Sequence, residues 1–109
     1  MESWNDFRNF NATAGQSIIR YTGTGANATL PHGLGVAPSM IIVKNASVTN
    51  DWNVYHVTLG NTKRLFLNTY AVPETTASAW NDTSPTSSLF SIGTNTNVNQ
   101  STSTMVAYC

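Results

Sequence analysis

Short runs of β-branched and aromatic residues, interrupted by Gly, Pro, Asn and Ser, set the rhythm of this chain. They recur at Ser17–Thr22, Ser39–Lys44, Asn53–Leu59, Thr62–Thr69, Ser88–Gly93 and Thr104–Cys109. Runs of four to eight residues bounded by turn formers are the signature of strands. Ala71–Trp80 is the only stretch that reads as a helical turn. Many short strands with frequent turn signals predict an all-β fold, an antiparallel β-sandwich of jelly-roll-like kind. Residues 1–16 read as an N-terminal arm and residues 17–109 as one sandwich domain.

The sharpest local expectation is a hairpin at Gly60-Asn61. Glycine at the first central position suits a type II′ turn, whose twist matches antiparallel strands. That register sets Leu59 opposite Thr62, Val57 opposite Arg64 and Tyr55 opposite Phe66. The other face pairs Thr58 with Lys63, His56 with Leu65 and Val54 with Leu67. Both faces are partly apolar, and a domain this small covers one sheet face well. The second face then needs either a long loop folded over it or a subunit contact.

Charge changes this picture by its scarcity. Lys and Arg number 5, Asp and Glu number 5, and charged residues are 9% of the 109-residue chain. Asn, Ser and Thr supply 13, 11 and 16 residues instead. Tyr21 to Val43 and Thr83 to Cys109 carry no Asp, Glu, Lys or Arg. Nucleic-acid binding is not expected, because five scattered bases make no phosphate-neutralising patch. Membrane insertion is not expected either, since no apolar run approaches the ~20 residues of a span. The N-terminus lacks a basic region followed by an apolar stretch, so no secretory signal is read. Neutral polar surface provides solubility without repulsion between identical neighbours.

Candidate chemistry is thin. His32 sits in Pro31-His32-Gly33-Leu34-Gly35, and neither this pair of glycines nor Gly23-Thr24-Gly25 completes a phosphate-binding pattern. Both read as turns. His56 lies in mid-strand with no neighbouring second ligand and reads as structural. Glu2, Asp6, Asp51, Glu74 and Asp82 are widely separated, and Cys109 has no accompanying motif. No catalysis, cofactor or metal is expected. Asn-x-Ser/Thr triplets begin at Asn11, Asn27, Asn45, Asn81 and Asn99. Without a signal sequence they read as composition, not as glycosylation sites. Trp52 and Trp80, each followed by Asn, suit either core anchoring or stacking on a sugar.

Assembled, these pieces resemble a family of bacteriophage virion domains found in tail-fibre-like and other structural proteins of marine phages. The matching text is Tyr21-Thr22-Gly23-Thr24-Gly25, Leu30-Pro31-His32-Gly33-Leu34-Gly35, Pro38 and Ile41-Ile42-Val43-Lys44. It continues through Trp52-Asn53-Val54-Tyr55-His56, Leu59-Gly60, Leu65-Phe66-Leu67-Asn68, Ala79-Trp80-Asn81-Asp82 and Pro85-Thr86-Ser87. It closes with Phe90-Ser91-Ile92-Gly93 and Val106-Ala107-Tyr108-Cys109. Similar proteins continue past that last strand, so the chain is a small free-standing version or a piece of a longer protein.

The resemblance implies a non-enzymatic β module on the particle surface, a tail-fibre or receptor-binding module for host attachment. Its partners would be other virion proteins, further copies of itself (a trimer among the options) and a host surface polysaccharide. Trp52, Trp80, Asn81 and Asp82 are the expected ligand contacts. The alternative is a capsid decoration or cement protein, whose arm docks on a neighbour through Trp4, Phe7 and Phe10. A carbohydrate-active enzyme is the weakest option.

Overall fold

The computed structural model describes residues 8–109, and every strand pairing among them is antiparallel. The strands are β1 (Arg8–Asn11), β2 (Gln16–Thr22), β3 (Ala28–Pro31), β4 (Met40–Asn45), β5 (Asn53–His56) and β6 (Lys63–Phe66). They continue as β7 (Glu74–Thr75), β8 (Leu89–Ile92) and β9 (Thr104–Tyr108). Two single helical turns, α1 (Ala77–Trp80) and α2 (Thr96–Asn99), complete the elements. A seven-stranded sheet, ordered β1-β2-β9-β4-β5-β6-β7, faces a two-stranded sheet of β3 and β8. The fold is the expected antiparallel β-sandwich. Its layers are unequal, seven strands against two, where a jelly roll divides them four and four.

Strand alternation builds the core. Inward positions of the large sheet bring Ile19, Tyr21, Ile41, Val43, Tyr55, Met105 and Ala107 against Leu30, Phe90 and Ile92 of the small sheet. Ala79 and Trp80 of α1 and Val98 of α2 fill the space beside that small sheet. Both turns are capped by neutral side chains. The Ser78 N–H donates to Thr76 Oγ1 (3.2 Å) and the Asn97 N–H to Asn95 Oδ1 (2.8 Å). Such caps satisfy donors that a helix start leaves orphaned.

Many of the short polar residues turn out to be clamps of this kind. Asn99 is 1% exposed. Its Oδ1 accepts from the Thr24 N–H (2.8 Å), and its Nδ2 donates to Ala26 O (2.6 Å) and Gly93 O (2.9 Å). Asn45, fully buried, accepts from the Ser47 N–H (2.9 Å) and donates to Gln100 Oε1 (2.9 Å). These side chains hold loops by uncharged hydrogen bonds, since a buried polar group must be partnered.

The structure changes three sequence expectations. The hairpin pairs Asn53 with Phe66 and Val54 with Leu65, two residues from the expected register. Its connection spans residues 57–62, because His56 O accepts from both the Leu59 N–H (3.0 Å) and the Gly60 N–H (3.1 Å). That α-like turn closes at Gly60, whose φ of +84° suits a residue without Cβ. A two-residue shift leaves every side chain on its expected face. The helical turn is confined to Ala77–Trp80, after β7 has already formed. Finally, the second half of the expected arm is sheet. β1 pairs with β2 from Arg8↔Ile19 to Asn11↔Gln16, so the 16/17 boundary falls within a hairpin. Gly33 has φ +72°, and a Cβ there would sit 2.6 Å from the Phe10 ring, so the missing side chain makes room for Phe10.

Candidate functional site: the outer sheet face

The outward positions of the large sheet form in-register rows. One runs Ile18–Tyr108–Ile42–Val54–Leu65 across β2, β9, β4, β5 and β6. The next runs Arg20–Val106–Lys44, with Trp52 following one position beyond the Val43–Asn53 pair. Met40 and Tyr108 are exposed, and Ile18, Ile42, Leu65, Val106 and Trp52 are half-buried. Among the described residues this face is partly open, with Val54 buried at its middle and the 46–50 loop along its border.

Trp52 and Tyr108 reach toward each other across this face. Their rings stack at 6.4 Å between centroids with 28° between planes, a geometry worth about 0.5–1.5 kcal/mol. Val54, in the same row as Tyr108, is only 3% exposed. The Trp52 backbone is fixed by its N–H donating to Asn68 Oδ1 (2.9 Å), and Asn68 Nδ2 donates to Asp51 Oδ1 (3.1 Å). On one side of Trp52 an open groove of about 580 Å³ is bordered by Lys44, Ser47, Asn50 and Asn68. A smaller apolar groove of about 260 Å³, bordered by Ile18, Met40 and Ile42, flanks Tyr108. The aromatic pair thus has amides at one side and aliphatic side chains at the other.

Trp80, expected as a ligand contact, is core instead. It is 2% exposed, its Nε1–H donates to Lys63 O (3.0 Å), and it meets Tyr55 edge-on at 6.0 Å and 77°. Its motif offered no way to tell the two roles apart, since a Trp followed by Asn fits both. Asn81 and Asp82 are exposed, with φ of 55° and 47°, and they end α1. Neither borders the groove beside Trp52. Of the four expected contacts, only Trp52 lies on the outer face. Tyr108 was missed because its pairing with Trp52 depends on β9 lying between β2 and β4. Among the expected assembly contacts, Phe10 is 43% exposed in β1, while Trp4 and Phe7 lie outside the described residues.

Both histidines and the Arg64–Glu74 pair have structural partners. Buried His32 donates from Nε2 to Thr86 O (2.9 Å) and accepts at Nδ1 from the Leu34 N–H (3.1 Å). His56 Nδ1 accepts from the Thr58 N–H (3.2 Å) within its own turn. Arg64 joins Glu74 at 2.5 Å, donates to Asn53 Oδ1 (2.9 Å) and lies over the Phe66 ring. Burial pushes the Cys109 thiol up to about 12 and raises the Tyr21 phenol further above its ordinary range. Among the described residues no three His, Cys, Asp or Glu side chains gather into a metal site, and no helix is long and apolar enough to cross a membrane.

No curated protein and no solved structure matches the chain. The model of the DUF7483 family, a domain of unknown function, matches residues 7–109, and the chain belongs to that family.

Proposed function

We propose that this domain is a non-enzymatic surface module of a phage particle, of tail-fibre or receptor-binding kind, whose outer sheet face attaches to a host surface polysaccharide. The observation that carries the reading is the Trp52–Tyr108 pair beside the Asn50 and Asn68 groove. Indole and phenol rings offer flat apolar area to the C–H face of a sugar ring, and amides match its hydroxyls. The rings are already held by sheet and stack, so little ordering entropy is lost on contact. The resemblance to phage virion domains supplies the particle. Other virion proteins and further copies of the chain are its proposed neighbours there.

Adsorption tests this. Labelled domain should be retained on host cells or their isolated surface polysaccharide, and Trp52→Ala should lose most of that retention while its circular dichroism stays native and its thermal midpoint falls by only a few degrees with the lost stack. Equal retention by wild type and Trp52→Ala would count against the reading.

The uninterrupted apolar row favours a second reading, a capsid decoration or cement protein. Ile18, Ile42 and Leu65 would then seat against the head lattice, as exposed contiguous apolar area commonly does in assemblies. Loss of capsid binding in Leu65→Glu, with saccharide retention unchanged, would select it.

A further inference from the structure

The charges of the outer face bear on which saccharides it would take. Arg20 and Lys44 share one row with Val106 between them, so their backbones are two strands, about 10 Å, apart. Arg20 is exposed. Lys44 Nζ donates to Asn45 O (2.6 Å) and Val48 O (3.3 Å), which holds the ammonium at the groove and leaves it a third N–H. Lys63, the third cation at an outward strand position, donates to Thr75 Oγ1 (2.8 Å). Two of the three described carboxylates stand away from this face, and the third, Asp51, is next to Trp52 and bonded to the groove's Asn68. Glu74 is engaged by Arg64 on the opposite face, Asp51 is in the loop before Trp52 and accepts from Asn68, and Asp82 follows α1. A chain of zero net charge has therefore gathered cations, and no described carboxylate, at the outward strand positions of one face.

From this we infer that the face binds a carboxylated saccharide, with a sugar ring on Trp52 and its carboxylate between Lys44 and Arg20; the inference rests on the attachment reading above. Charge attracts the ligand, and the aromatic pair and amides give it orientation. Three cations are too few to neutralise a nucleic-acid backbone, whereas a uronic acid asks for one contact per acidic sugar.

Calorimetric titration at low salt would compare oligogalacturonate, a neutral malto-oligosaccharide of equal length, and oligothymidylate. Oligogalacturonate should bind, more weakly as salt rises, and the neutral sugar should bind less tightly. Arg20→Gln and Lys44→Gln should each weaken oligogalacturonate roughly fivefold, the scale of one exposed charge contact. Because Lys44 also braces its loop, the exposed Arg20→Gln carries the test if Lys44→Gln fails to fold. Equal binding of the neutral sugar, untouched by Arg20→Gln, would overturn the acidic assignment and leave the attachment reading standing. Binding of neither saccharide would overturn both. Tighter binding of oligothymidylate would overturn the saccharide in favour of single-stranded nucleic acid.

Discussion

At the scale of single residues, burial decides roles that residue type leaves open. Trp52 and Trp80 carry the same side chain before the same Asn, yet one lies half-buried at the edge of the outer face, just before β5, and the other fills the core. Trp80→Ala should cost about 3–5 kcal/mol by the usual cost of an emptied aromatic site, read as a lower denaturation midpoint. Two buried acids make stability fall in alkali. Tyr21 and Cys109 are both shifted upward by burial, so the folded state holds their protons where the unfolded chain releases them. Their stabilising contribution is whole below the ordinary thiol value of 9.0 and is lost as pH rises toward about 12. Urea midpoints should be level to about pH 8.5 and then decline, and Cys109→Ser should flatten the first part of the decline. The same shift predicts slow alkylation of Cys109 in the native protein at pH 8 and fast alkylation in urea, because the thiolate is the reactive form.

At the scale of elements, the sequence was most legible where alternation is strong. β5, β6, β8 and β9 fall within the runs their residues announce, and β2 and β4 overrun theirs by one residue each, at Gln16 and Asn45. Three strands were not legible. β1 lies in Arg-Asn-Phe-Asn, β3 in Ala-Thr-Leu-Pro and β7 in Glu-Thr, stretches with little β propensity whose extended form comes from pairing with β2, β8 and β6. Likewise α2, Thr-Asn-Val-Asn, is held by the Asn95 cap and the burial of Val98, which no propensity reports. The hairpin register slipped by two because Gly60 ends a wider turn instead of opening a tight one. The seat of the Phe10 ring of β1 depends on Gly33, while β2 holds the strand itself. Gly33→Ala puts a methyl into both the Phe10 ring and a left-handed backbone position, at a cost of about 1–3 kcal/mol. Amide exchange should accelerate through β1 while β4 and β9 stay protected, and Phe10→Ala should relieve part of the loss.

At the scale of the whole molecule, the sandwich is lopsided, and that leaves one side of its large sheet partly open. Two strands and two helical turns cover the inner side of a seven-stranded sheet, and among the described residues the outer side stays partly open. The sequence already marked this face as one that needs cover, by a loop or by a subunit, since both faces of the β5–β6 hairpin are partly apolar. It did not carry the identity of the site. Trp52, Lys44 and Arg20 come together only through the order β2-β9-β4-β5, in which the last strand inserts between two early ones. The scarcity of charge follows the same division: neutral amides and hydroxyls clamp the loops, and the outward cations lie across one face. The most direct measurement is a two-dimensional NMR titration of isotope-labelled domain with oligogalacturonate. The account predicts shifts concentrated at the Trp52 indole, Tyr108, Lys44, Arg20 and Asn68, with Trp80 and the β3–β8 layer unmoved. Shifts centred on Asn81 and Asp82 or the exposed Tyr70 loop, or none at saturating saccharide, would contradict it.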